Sequence, residues 1–259
     1  MTQIQTTGRG AGAPAEPAGD APDGKAPPGK VPPDKVYGRR QGRPLRRHKA
    51  DLIENLLPGM RIPRPGRGDR IDPRGLFGRP PEQVWLEVGF GGGEHLAWQA
   101  AHHRDNGVIG CEPFINGVAS LLQHVGEAGL SNVRILVDDA RPLLDALPDA
   151  SIGRCFVLFP DPWPKTRHHK RRFIGPDNLA RLARVLEDGA ELRLASDDAS
   201  LIPWMLEHAW RHRDFEWLAR RPEDWRTRPD DWPPTRYERK AVEAGRHPVF
   251  LRFRRRPRA

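Results

Sequence analysis

Val84-Trp85-Leu86-Glu87-Val88-Gly89-Phe90-Gly91-Gly92-Gly93-Glu94 is the stretch on which the fold turns. Its apolar start, Val84–Val88, reads as a short buried strand. The glycines that follow permit a tight turn and a close approach of backbone to a ligand at the start of a helix. A dinucleotide fingerprint G-x-G-x-x-G counted from Gly89 needs glycine at position 94, where the chain has Glu94. An acid there disfavours a pyrophosphate. The pattern is instead E-x-G-x-G-x-G, with Glu87 two residues ahead of Gly89.

From this point strands and helices alternate. Strands are predicted at Val84–Val88, Val108–Cys111, Val133–Val137, Arg154–Phe159, Glu191–Ala195, Phe215–Ala219 and Val249–Phe253. Helices are predicted over Glu94–Arg104 and Arg141–Leu147. Further helical faces are formed by Phe114, Val118, Leu121, Leu122 and Val125, by Leu179, Leu182, Val185 and Leu186 up to Gly189, and by Ile202, Met205, Leu206 and Ala209. This order predicts an α/β fold, a doubly wound and mostly parallel sheet of seven strands.

Upstream the composition changes. Residues 1–44 hold 16 Gly or Pro, and up to Asp34 the only Ile, Leu, Val, Phe or Trp are Ile4 and Val31. So little apolar surface cannot offset the entropy of ordering, so residues 1–34 are expected to be a disordered extension. Residues 35–80 read as a basic segment with a short helix at Leu52, Ile53, Leu56 and Leu57. Residues 81–254 read as the main domain and 255–259 as a basic tail.

Charge is unevenly spread. The chain of 259 residues has 43 Lys+Arg against 34 Asp+Glu, a formal net of +9. Three acid-free runs carry the excess: Lys35–Lys49 with seven cations, Lys165–Arg172 with five and Arg252–Arg258 with five. Elsewhere acids outnumber bases by eight. A mildly acidic body with cationic patches points to a polyanionic partner. No apolar run approaches a membrane span, and no secretory core is evident at the N-terminus. Two cysteines, Cys111 and Cys155, exclude a disulfide framework, so a cytoplasmic location is expected. His102-His103 and His168-His169 lack further ligands at metal-binding spacing, so no metal is expected.

Three predicted strands end in acids: Glu112 after the second, Asp138-Asp139 after the third and Asp161 after the fourth. A carboxylate 21 residues beyond Gly91 can accept from both ribose hydroxyls of an adenosine. The loop Phe159-Pro160-Asp161-Pro162-Trp163-Pro164-Lys165-Thr166-Arg167-His168-His169-Lys170-Arg171-Arg172 is stiffened by three prolines and then becomes cationic. It reads as an electropositive ledge beside a ligand site at the carboxyl end of a central strand.

The glycine pattern resembles the first motif of Rossmann-like class I S-adenosylmethionine-dependent methyltransferases. The proline loop resembles, more specifically, the signature of the bacterial tRNA (guanine-N7)-methyltransferase family. Thr235-Arg236-Tyr237-Glu238-Arg239-Lys240 resembles that family's T-x-Y-E-x-K motif, and Tyr37–Arg43 its basic leading segment. The resemblance implies methyl transfer from S-adenosylmethionine to N7 of the variable-loop guanine, guanine-46, of tRNA. It implies cofactor contacts at Glu87, Gly89, Gly91, Glu112, Asp139 and Asp161, with Asp161 also catalytic. It implies substrate contacts at Lys165, Asp197, Thr235, Arg236, Tyr237 and Glu238, with Asp198 as an alternative to Asp197 because the chain has Ser196-Asp197-Asp198 where the family shows Thr-Asp and aromatics. Arg167, His168, His169, Lys170, Arg171 and Arg172 are implied as RNA contacts. The expected partner is tRNA, with no membrane and no obligate protein partner.

Other classes fit less well. A nicotinamide oxidoreductase lacks its third glycine and leaves the cationic loop idle. A small-molecule methyltransferase has no use for that loop. An adenine amino-methyltransferase carries a second proline where this chain has Trp163. A noncatalytic RNA-binding protein leaves Glu87, the glycines and Glu112 unemployed. The C-terminal arginines read as a solubilising tail or a further RNA contact.

Overall fold

The computed structural model describes residues 40–259. The expected disordered extension and Tyr37–Arg39 of the leading segment lie outside the described residues. In chain order the elements are α1 (Arg47–Asn55), β1 (Arg61–Ile62), β2 (Val84–Val88), α2 (Glu94–His102), β3 (Gly107–Cys111), α3 (Ile115–Ala128), β4 (Val133–Leu136), α4 (Arg141–Ala146), β5 (Ile152–Leu158), α5 (Pro176–Val185), β6 (Leu186–Ser196), α6 (Leu201–Arg211), β7 (Phe215–Trp217), α7 (Glu223–Arg226), α8 (Arg236–Glu243) and β8 (Val249–Arg255).

They form one sheet in the order β1-β4-β3-β2-β5-β6-β8-β7. All pairs are parallel except those of β8, which runs antiparallel to both β6 and β7. The doubly wound, mostly parallel fold is as expected, with eight strands rather than seven. The additional strand, Arg61–Ile62, pairs with β4 at the sheet edge. Two residues are too short to show any periodicity in the sequence.

Both sheet faces are covered, which is why the central strands read as continuous apolar runs. On one face Leu143, Leu144, Leu179, Leu182, Leu201 and Met205 of α4, α5 and α6 pack against Leu86, Cys155, Val157 and Leu192. On the other, Leu96, Val118, Leu121 and Val125 of α2 and α3 cover Val108 and Ile135. A third cluster joins Trp85, Phe156, Leu158 and Phe250 to Trp232, which is fully buried.

Other elements also differ from expectation. Leu186 is not the last residue of a helix; its backbone is extended, and β6 runs from it through Gly189 to Ser196. Helix α8 was not expected, because its eight residues are mostly polar and only Ala241 is buried.

Most of the C-terminal arginines bond to the fold, although Arg254 and Arg256 are exposed. Arg252 pairs with Glu191 at 2.8 Å and Arg255 donates to the Ala183 carbonyl at 2.8 Å. Arg256 donates to the Phe215 carbonyl at 3.2 Å, and Arg258 bridges to Asp188. These bonds knit β8 to β6, β7 and the end of α5.

Candidate active site

The carboxyl ends of β2 to β5 open into a cleft of about 940 Å³. Its floor is the glycine loop. Gly91 has φ +54°, and a Cβ there would meet the Tyr237 ring at 2.8 Å. Gly117, in the first turn of α3, comes closer still: a Cβ would lie 2.2 Å from the Gly91 carbonyl oxygen. The loop and α3 can therefore meet only because both positions lack side chains.

Glu112 follows β3 and accepts from the Gly91 and Phe114 amides, both at 2.9 Å. Burial pushes its carboxyl above the ordinary range; the two amides oppose that, and the charges of Asp161 and Glu87 add to it. Asp138 and Asp139 follow β4. Asp138 is buried, pairs with Arg40 at 3.3 Å and Arg64 at 3.0 Å, and accepts from the Asp139 amide at 2.8 Å. Asp139 is gripped by the Arg141 guanidinium at 2.7 and 2.8 Å.

Asp161 lies at the mouth, just beyond β5. The residues two before and two after it, Phe159 and Trp163, have φ +49° and +44°. Bulky aromatics rarely adopt this region, and each such residue costs about 1–3 kcal/mol, strain that characteristically gathers at functional sites. Water reaches Asp161 through the cleft, but the walls desolvate it enough to raise its pKa. Glu112, Asp139 and Asp161 thus line one cleft, and Gly89, Gly91 and Tyr237 line it with them.

Glu87 is placed differently. Its side chain points to the third core cluster and is 2 % exposed, with Oε2 at 2.7 Å from His95 Nδ1. It does not line the cleft. Gln99, one turn beyond His95, donates to the Asp231 carbonyl at 2.9 Å and so ties α2 to the segment leading into α8. The His95 partner was not legible, because a helix residue eight positions from Glu87 reads only as apolar-face punctuation.

The remaining substrate candidates divide by role. Thr235 and Glu238 form a reciprocal capping box at the start of α8, and Glu238 also pairs with Arg228 at 3.0 Å. They set the direction of the helix. Tyr237, 48 % exposed, is thereby held over Gly91. Asp197 pairs with Arg246 at 2.5 Å. Asp198 accepts from the Ser200 and Leu201 amides and the Ser200 hydroxyl, closing the first turn of α6. Lys165 is exposed at the rim.

The segment before α8 hangs on Trp232, whose ring meets those of Phe250 at 5.4 Å and Phe156 at 6.4 Å edge-on. Trp232→Ala is expected to cost about 3–5 kcal/mol, read by denaturant unfolding.

A family model described as "Putative methyltransferase" matches residues 81–251. A tRNA (guanine-N(7)-)-methyltransferase of Rhodospirillum rubrum is 54% identical over 225 residues, covering 86% of this chain and 88% of that protein. The chain belongs to the tRNA (guanine-N7)-methyltransferase family. Proteins of the same description from Paramagnetospirillum magneticum and Agrobacterium fabrum are 54% and 48% identical, covering 86% and 85% of this chain and 93% and 94% of theirs.

Within this family member, the loop after β5 forms a short 3-10 helix over Thr166–Arg171. Arg167 and Lys170 are exposed, and His168 and His169 are partly so. The Arg171 guanidinium lies 4.9 Å from the centre of the Trp163 ring. Arg172, by contrast, is 5 % exposed and its guanidinium is directed into the protein. Its inward course follows from donating to carbonyls of the loop and of the start of α6. Among the described residues, no helix is long and apolar enough to cross a membrane, and no group of three or more His, Cys, Asp or Glu is placed to hold a metal ion.

Proposed function

We propose that the protein transfers a methyl group from S-adenosylmethionine to N7 of guanine-46 in the variable loop of tRNA. The observation that carries this is the convergence of Glu112, Asp139 and Asp161 on one cleft that opens beside the Lys165–Arg171 ledge. The names of the relatives support the nucleic-acid substrate and the N7 position.

The residues fit the cofactor. A glycine floor admits it without side-chain obstruction. Each Glu112 oxygen has an amide partner and still has lone-pair capacity for ribose hydroxyls. Cleft carboxylates suit a cationic ligand. When bound, S-adenosylmethionine supplies the methyl group.

Guanine N7 carries a free lone pair and needs no deprotonation before it attacks. The chain's task is alignment, so rigid walls matter more than a general base. Methylation makes the purine cationic, and Asp161, partly desolvated by the cleft walls, favours that charge as it develops. The major groove of A-form RNA is deep and narrow, so the base is taken out of the stack. Tyr237 and Trp163 offer faces to receive it.

Arg167 and Lys170 supply affinity without sequence reading. Replacing both with Ala is expected to weaken tRNA binding and reduce the log–log salt slope by about one to two units, with cofactor affinity unchanged; binding titrations at several salt concentrations check this. The position is tested by methylating an unmodified tRNA and cleaving with borohydride and aniline. A single cut at guanine-46 is expected, and cuts elsewhere contradict the assignment.

A further inference from the structure

The loop that carries Asp161 is poor in backbone donors. Pro160, Pro162 and Pro164 have no amide N–H to donate. Its start is fixed by the Phe159 amide, which donates to the Ala195 carbonyl of β6 at 2.8 Å. Its far side is fixed by a side chain ten residues on. Arg172 Nε donates to the Pro162 carbonyl at 2.8 Å. Nη1 of the same guanidinium donates to the Ser200 carbonyl at 3.2 Å, and Nη2 to the Ser200 hydroxyl at 2.9 Å.

These bonds join two loops from neighbouring strands. Pro162 directly follows Asp161. Ser200 stands at the start of α6, two residues from Asp198 and three from Asp197. The arginine is itself held: its guanidinium carbon lies 5.0 Å from the centre of the Trp204 ring, Trp204 Nε1 donates to the Ile174 carbonyl at 2.6 Å, and Trp204 stacks on His208 at 4.1 Å. A cation nearly removed from water, with carbonyls and a hydroxyl as partners, is costly to keep for packing alone.

We infer that Arg172 is a positioning residue for methyl transfer: it clamps the carbonyl beside Asp161 to the start of α6, fixing the Asp161 loop against the Asp197 loop, and does not contact RNA. This rests on the proposed function and extends it. A lysine cannot reproduce the clamp, because a single ammonium does not present three donors in a planar fork toward two loops.

The test uses the full chain with Arg172→Lys and Ser200→Ala, and Arg167→Ala for comparison. With wild type shown to methylate guanine N7, Arg172→Lys is expected to lower kcat about 10- to 100-fold, as small misplacements of aligned groups do. Its KM for tRNA, its salt slope and its cofactor affinity stay within about twofold. Ser200→Ala lowers kcat less, in the same parameter, and carries the test if Arg172→Lys does not fold. Hydrogen exchange of Arg172→Lys speeds up in residues 159–165 and 198–201 alone. An unchanged kcat in both variants, a reduced salt slope with raised KM in Arg172→Lys, or exchange accelerated uniformly along the chain overturns the inference. A wild type that leaves N7 unlabelled defeats the proposed function instead, and the exchange comparison still reads the clamp.

Discussion

Asp161→Asn is expected to lower kcat by about 10²- to 10³-fold while cofactor affinity changes only a few-fold. Asparagine keeps the size and one acceptor but removes the charge proposed to favour the cationic purine. The pH dependence carries a second signature. Partial burial raises the Asp161 pKa, and in the proposed mechanism the carboxylate is the working form. Activity is therefore present above the raised pKa and lost as pH falls through it, at a pH above the ordinary aspartate value of about 3.9. In Asp161→Asn this limb vanishes from kcat measured at saturating cofactor. Glu112, also raised by burial, leaves an acid limb in kcat/KM for the cofactor. Near-wild-type turnover in Asp161→Asn, or an unaltered acid limb, contradicts the electrostatic role.

Gly117→Ala is the second large effect. The new methyl would sit 2.2 Å from the Gly91 carbonyl oxygen, well inside contact distance. The clash is with backbone, so no side-chain rotation relieves it. Either the glycine loop lifts or α3 shifts, at a cost of about 1–3 kcal/mol. Because Glu112 accepts from the Gly91 amide, the same shift displaces the carboxylate proposed to hold the ribose. The expected result is a loss of cofactor affinity of at least about tenfold, from about 1.4 kcal/mol per decade. Calorimetric titration checks it. Tight binding in a folded Gly117→Ala protein contradicts a cofactor seat on this loop.

The fold was legible where elements are long and apolar. Val84–Val88, followed by glycines and a helix, announces a parallel strand entering a doubly wound sheet, because burial on both faces leaves no alternation to misread. It was not legible where an element is held by tertiary bonds. Arg61–Ile62 is a strand only because β4 offers a free edge. Arg236–Glu243 is a helix opened by its capping box, with Ala241 as its one buried residue rather than an apolar stripe.

The site divides in the same way. Acids at strand ends are visible in the sequence, since strand register carries them to the same edge of the sheet, and Glu112, Asp139 and Asp161 meet there. The direction of a side chain is not visible. Glu87 turns toward His95, and Arg172 turns inward to Ser200, 28 residues away in the chain. A charge run shows how many cations are present but not which of them faces water. The same holds for the C-terminal arginines, several of which bind carbonyls and acids of β6, β7 and α5.

The most direct measurement of the central claim compares two tRNA transcripts, one with guanine and one with 7-deazaguanine throughout, each incubated with the full chain and methyl-labelled S-adenosylmethionine. The deaza base has carbon in place of N7 and no lone pair there, while its Watson–Crick edge is unchanged. The account predicts about one methyl group per guanine transcript and none on the 7-deazaguanine transcript, with both transcripts bound comparably. Equal labelling of the two, or no labelling of either, contradicts it.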